Sequence, residues 1–164
     1  MLVIKTHSPD ETYAFGKNMA KLLKSGDVLC LAGDLGAGKT LLSQGIAAGL
    51  TVSAHVTSPT FTVLNVYEGI TGSGQELPVY HFDLYRLQHP AELADIGFDY
   101  YLGAHGIAII EWPDKFPEFL PAERLWLTIK AGDGPSERIL CLTAVGTRYV
   151  ELCEELKQIA DSCC

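Results

Sequence analysis

The apolar positions of this chain follow two periods, and the switch between them marks out the elements. LVIKT (2–6) alternates loosely and predicts a first strand. SPDET then offers a helix start, with Ser8 as N-cap, Pro9 as first helical residue and acids in the first turn. TYAFGKNMAKLLK carries Phe15, Met19, Leu22 and Leu23 on one helical stripe. SGDVLCLAG reads as turn, buried strand and glycine-rich exit. GKTLLSQGIAAGL predicts a helix with Leu41, Leu42, Ile46 and Leu50 on its apolar side, weakened by Gly45.

TFTVLNVYEG and PVYHFDLYRL, joined by a polar turn over 69–75, predict two strands of a hairpin. HPAELADIGFDYYLG predicts a single helix opened by Pro90 and closed near Gly103, and GIAIIEW a short apolar strand. RLWLTIKAG and ERILCLTAVG flank a GDGPS turn and give a second hairpin signal. TRYVELCEELKQIADS predicts a closing amphipathic helix, with residues 158–164 expected to fray. Strands alternate with helices early and pair locally later. The expectation is one domain over 1–164, a three-layer α/β fold with a mixed, partly parallel sheet and antiparallel hairpin strands.

Composition narrows the function classes. The 164 residues are 48% hydrophobic and 20% charged, ordinary for a globular domain with its own core. The formal net charge is −8 and the pI about 5.0, which disfavours unaided binding to nucleic acid, because phosphate contacts need clustered cations. The sequence opens without an extended apolar core or a small-residue cleavage site, and no apolar run approaches the ~20 residues of a membrane span. The five cysteines (Cys30, Cys141, Cys153, Cys163 and Cys164) show no CxxC spacing. Free thiols in a reducing cytoplasm are the expectation. A lipidation reading of the terminal Cys163-Cys164 pair lacks the basic flank that a second membrane signal would supply.

The strongest chemical signal is GDLGAGKT, residues 33–40, which matches G-x-x-x-x-G-K-[ST]. Gly33, Gly36 and Gly38 let the backbone wrap closely around an anion, with Asp34, Leu35 and Ala37 between them and Leu41 following. Lys39 brings a positive charge to the β/γ-phosphates, and the Thr40 hydroxyl can ligate Mg²⁺. The helix that follows turns its N-terminus toward the same phosphates. A strand before the motif and a helix after it are the context a P-loop NTPase fold requires.

A phosphate loop alone hydrolyses nothing; it needs an acid near Mg²⁺ and a group that positions water. Two apolar runs end in an acid, VYHF before Asp83 and IAII before Glu111, and both predict carboxylates at strand ends, where ligands bind in open α/β sheets. TSPTF (57–61) is a hydroxyl-rich loop whose Ser58 and Thr60 could act as a switch segment, or form a plain Ser-Pro turn. His81 and His89 with Asp83 make a poor zinc set, since strand alternation separates them and no cysteine is near. His81 shares a strand face with Asp83 and is expected to orient it or pack beside the site. No N-K-x-D guanine motif is present, which favours ATP.

GDLGAGKT, TSPTF, YHFDLYRL with HPAELADIGFDYY, and IIEWPDK, in this order and spacing, closely resemble the bacterial ATPase family of tRNA threonylcarbamoyladenosine biosynthesis (TsaE). The resemblance runs from SPDET to the second hairpin, and HFDLYR with IEW is more specific than the phosphate loop. It implies an ATP- and Mg²⁺-dependent ATPase that supports threonylcarbamoyl transfer onto the adenosine beside the anticodon. It implies assembly with a transferase subunit and its paralogous scaffold subunit, tRNA being reached only through that complex. Carried over, residues 33–40 cradle phosphates, Thr40 and Glu111 serve Mg²⁺, Asp83 stands near the attacking water (or on the metal), Thr60 lies in the switch-like loop and Trp112 beside the site. His81 and Arg86 would support it, and the segment around His7–Asp10 with the hairpin near Arg138 would flank adenine. Leu41 departs from the family, which often has a second hydroxyl there.

Two other readings stand beside this one. A small-molecule kinase on the same fold usually brings a lid whose arginines clamp the phosphoryl group, whereas the four arginines here are spread singly. A nucleotide-binding switch with negligible turnover is the third.

Overall fold

The computed structural model describes residues 1–102 and 104–162. Seven strands form one mixed sheet in the order β1-β7-β6-β2-β5-β4-β3. They are β1 (Leu2–Thr6), β2 (Val28–Gly33), β3 (Leu64–Ile70), β4 (Glu76–Asp83), β5 (Ile107–Glu111), β6 (Arg124–Ala131) and β7 (Arg138–Val145). The parallel core β4-β5-β2-β6 is flanked by two antiparallel hairpins, β3–β4 and β6–β7, and β1 adds antiparallel to β7. The strands of the centre, VLCLA and IAIIE, are apolar at every position because both faces of the sheet are covered there.

Successive residues of β2 alternate between two cores. Leu29 and Leu31 join α1 (Pro9–Ala20), α2 (Lys39–Gly49) and α5 (Thr147–Ser162), while Val28 and Cys30 face Phe82, Leu93 and Phe98 on the other side. The three layers match the expectation from the pattern. The second face is covered more thinly, by short helices α3 (Ala91–Asp95) and α4 (Phe98–Leu102) and by two 3-10 turns after β5.

Local chemistry explains most boundaries. The Ser8 hydroxyl accepts from the Glu11 N–H at 3.1 Å, with Pro9 opening α1, as the N-cap signal predicts. Where one helix was expected over HPAELADIGFDYYLG, there are two, because Gly97 at φ +70° takes the left-handed conformation that ends α3. The expected stop near Gly103 lies outside the described residues. α5 runs to Ser162 and so takes in part of the stretch expected to fray; Cys163 and Cys164 lie outside the described residues.

Gly45, read in the sequence as a weak point, is where α1 and α2 touch. A Cβ there would stand 2.3 Å from the Tyr13 carbonyl oxygen, and one at Gly49 2.4 Å from that of Lys17. At the opposite edge of the sheet from the phosphate loop, Arg148 donates to both Asp27 carboxylate oxygens at 3.0 and 2.7 Å, and the Val28 N–H donates to the Tyr149 hydroxyl at 2.7 Å. These bonds fix α5 to the start of β2. No helix among the described residues is long and apolar enough to cross a membrane.

Candidate functional site

Three parallel strand ends meet at one edge of the sheet. Register pairs Leu31 of β2 with Glu111 of β5, and Glu111 with Asp83 of β4. The loop over residues 33–40 leaves β2 beside these two acids and runs into α2. Gly38 caps that helix at φ +113°, a conformation costly for any residue with a Cβ, and Gly33 lies so close to β6 that a Cβ would stand 2.7 Å from the Ile129 carbonyl oxygen. The first-turn N–H groups of α2 have no carbonyl one turn before them within the helix, the condition under which a helix N-terminus can receive an anion.

Lys39 is 5% exposed and lies along this loop. Its ammonium donates to the Gly33 and Asp34 carbonyls at 2.7 and 2.8 Å and stands 4.1 Å from the centre of the Trp112 ring. Burial lowers the Lys39 pKa from its usual value, and the nearby carboxylates of Glu111, Asp83, Asp114 and Asp34 oppose that shift. Trp112 adopts φ +59°, rare for a bulky side chain and held here by the turn into Pro113. Its ring is thereby set between Lys39 and Tyr85, whose ring centre is 4.9 Å away.

The two acids have different neighbours. Glu111, 1% exposed, has Thr40 Oγ1 at 3.5 Å from Oε2, while Ser43 Oγ donates to Oε1 at 3.0 Å and His81 Nε2 contacts the same Oε1 at 2.9 Å. Asp83 accepts from Ser58 and Thr60 hydroxyls on Oδ2 at 2.8 and 3.0 Å and from the Tyr85 N–H on Oδ1 at 2.9 Å. The TSPTF segment is therefore folded onto Asp83 and is not a detached turn. His81 does share a face with Asp83, but its partner is Glu111 across the β4–β5 pair. The reason is the parallel register, which places His81 beside Ile109 and lets its ring reach up to the next outward carboxylate.

A cleft of about 260 Å³ opens between these groups, bounded by Leu35, Lys39, Thr40, Asp83, Glu111 and Trp112 among others. Gly36, Gly38, Leu41, Ser58, Thr60 and Tyr85 complete its walls. Asp34 and Ala37 lie outside it, lining the opposite side of the phosphate loop with Gly33. Arg86 points away, stacked 4.0 Å above the exposed Phe61 ring. On the far side of the loop, Arg138 Nε donates to the Ala37 carbonyl at 2.8 Å, and Arg138 pairs in register with Thr6. His7 is 3.1 Å from Glu137, so the N-terminal segment meets the second hairpin, which Arg138 ties to the loop over residues 33–40.

Sequence reasoning missed Ser43. Its signal was present: a hydroxyl three residues after Thr40 falls on the same face of α2. The oxygen set of Thr40 and Glu111 suits a hard divalent cation that takes few protein ligands and completes its shell with water and phosphate oxygens.

A sequence profile described as threonylcarbamoyl adenosine biosynthesis protein TsaE matches residues 6–139. The tRNA threonylcarbamoyladenosine biosynthesis protein TsaE of Bacillus subtilis is 45% identical over 155 residues, 94% of this chain and 92% of that protein. The protein of the same name from Treponema pallidum is 35% identical, covering 80% of this chain and 94% of its own. The crystal structure of Bacillus subtilis YdiB superposes with a TM-score of 0.80 at 42% identity, covering 97% of this chain and 95% of that one.

Proposed function

The chain belongs to the TsaE family, and on that premise we propose that it is a Mg²⁺-dependent ATPase serving threonylcarbamoyladenosine modification of tRNA. The observation that carries the catalytic part is the meeting of residues 33–40 with two strand-end carboxylates of different surroundings. The triphosphate lies along the loop and the first turn of α2, and Lys39 leaves its carbonyl partners to reach the β/γ-phosphates. Thr40 and Glu111 hold the cation, which when bound neutralises charge on the phosphate oxygens. Asp83, tied to the hydroxyls of Ser58 and Thr60, orients the water that attacks the γ-phosphorus as the bond to the β–γ bridging oxygen breaks. Trp112 and Tyr85 wall the cleft and limit solvent around Lys39.

The net charge of −8 fits a subunit that leaves tRNA to its partners. Those partners are a transferase subunit and its paralogous scaffold subunit, and the assembly completes the site. Phosphate release by the purified protein, alone and with both subunits, tests this. Turnover should be slow alone and rise on assembly, and should disappear in Asp83→Asn. Phosphoryl transfer to a small acceptor, with no stimulation by the subunits, would overturn the proposal in favour of a kinase.

A further inference from the structure

The hydrogen bonds around Glu111 are unequal between its two oxygens. Oε1 is 2.9 Å from His81 Nε2 and 3.0 Å from Ser43 Oγ, whereas Oε2 has, among the described residues, only the Thr40 hydroxyl, at 3.5 Å. A carboxylate can only accept, so the His81 ring carries a hydrogen on Nε2 and donates it to Oε1. The other ring nitrogen, Nδ1, is buried and has no partner among the described residues. His81 is 1% exposed and Ser43 0%. A buried imidazole satisfied at one nitrogen only is a poor choice for stability, since an apolar side chain would fill the same space of β4 without an unpaired polar atom. What the ring and the hydroxyl do is fix one oxygen of Glu111.

We infer that His81 and Ser43 are positioning residues that together pin Glu111 through Oε1, so that Oε2 alone is presented, beside Thr40, to a divalent cation. This rests on the nucleotide–metal reading of the cleft. The two residues come from different elements, β4 and α2, which gives the pin its rigidity: rotation of the carboxylate about its terminal bond would break both hydrogen bonds at once. Ser43 is itself held beside its own helix backbone, its single hydroxyl hydrogen shared between Glu111 Oε1 and the Lys39 carbonyl 2.9 Å away. A freely turning Glu111 would sample geometries that chelate with both oxygens or none. A pinned one offers a single oxygen to a cation that demands near-octahedral order. Partners behind a ligand commonly change metal affinity by about 10–100-fold when removed.

The test measures Mn²⁺ affinity of the protein–ADP complex from the free-ion electron paramagnetic resonance signal, alongside ADP affinity in EDTA. Ser43→Ala and His81→Leu should each weaken Mn²⁺ about tenfold while ADP affinity in EDTA is unchanged. His81→Gln, whose amide nitrogen can stand where Nε2 stands, should restore affinity close to wild type. If His81→Leu does not fold, Ser43→Ala decides. Wild-type Mn²⁺ affinity in Ser43→Ala and His81→Leu overturns the inference while leaving the nucleotide–metal site intact. So does a His81→Gln as weak as His81→Leu. A wild-type complex that holds Mn²⁺ no better than ADP alone overturns the underlying reading, and this inference with it.

Discussion

Replacing Gly45 by alanine sets two effects of opposite sign against each other. Helix propensity favours the change by about 1 kcal/mol, because glycine loses more backbone freedom than alanine on folding. Packing opposes it. The new Cβ would stand 2.3 Å from the Tyr13 carbonyl oxygen and 3.1 Å from its carbon, and real Cβ atoms essentially never come within 3.0 Å of another heavy atom. The obstacle is backbone, so no rotamer change relieves it and α1 must move away from α2. That movement loosens a contact where Gly16 and Gly49 also bring the helices close. Overpacking costs about 1–3 kcal/mol, and a rigid carbonyl puts this site at the upper end, so the net loss is about 2 kcal/mol. For a chain of this size that lowers Tm by roughly 4–8 °C. Thermal unfolding followed by far-ultraviolet circular dichroism reads it directly. A Tm equal to or above wild type would show that propensity dominates and that the helices do not meet at Gly45.

Other expectations follow from particular contacts. Lys39→Ala should weaken ATP binding by at least about tenfold, measured by calorimetry, because on the proposed reading it removes the charge that leaves the Gly33 carbonyl for the β/γ-phosphates. Asp83→Asn and Glu111→Gln should each abolish partner-stimulated phosphate release while circular dichroism stays native, since both keep the side-chain volume. Tyr149→Phe leaves the buried Val28 N–H without its acceptor and should cost about 1–3 kcal/mol in denaturant unfolding. The Gly134 N–H, then His7 and Lys5, hold the Glu137 pKa down from 4.5 to about 2. Its stabilising contribution is therefore complete above pH 4.5 and is lost as pH falls toward 2. A carboxyl resonance of Glu137 that titrates at its ordinary value would contradict that arrangement.

Much of this fold was legible because its central strands are uniformly apolar and β6 alternates. VLCLA and IAIIE can only be buried on both faces, and the alternation of RLWLTIKA sets Leu125, Leu127 and Ile129 on one buried face. The break of the expected single helix at Gly97 was missed because its flanks keep a helical apolar pattern; only the left-handed turn separates α3 from α4. At the site, residue types and spacing pointed to the loop, to Asp83 and to Glu111. They could not say which acid His81 serves, because that depends on the parallel register of β4 with β5 and not on the strand's own alternation. Nor could they give Ser43 its role, since a serine one turn into a helix most often bonds only to its own backbone. Gly45 misled for a related reason: its value lies in the neighbour helix, which the local pattern does not contain.

On the proposed function, this phosphate loop and its two acids drive tRNA modification. The most direct measurement of this is the threonylcarbamoyladenosine content of bulk tRNA, by mass spectrometry of nucleosides, in a bacterium depleted of its own family member and expressing this chain. Wild type should restore the modified nucleoside, and Lys39→Ala and Asp83→Asn, present at equal protein level, should not. Equal restoration by all three would contradict the account.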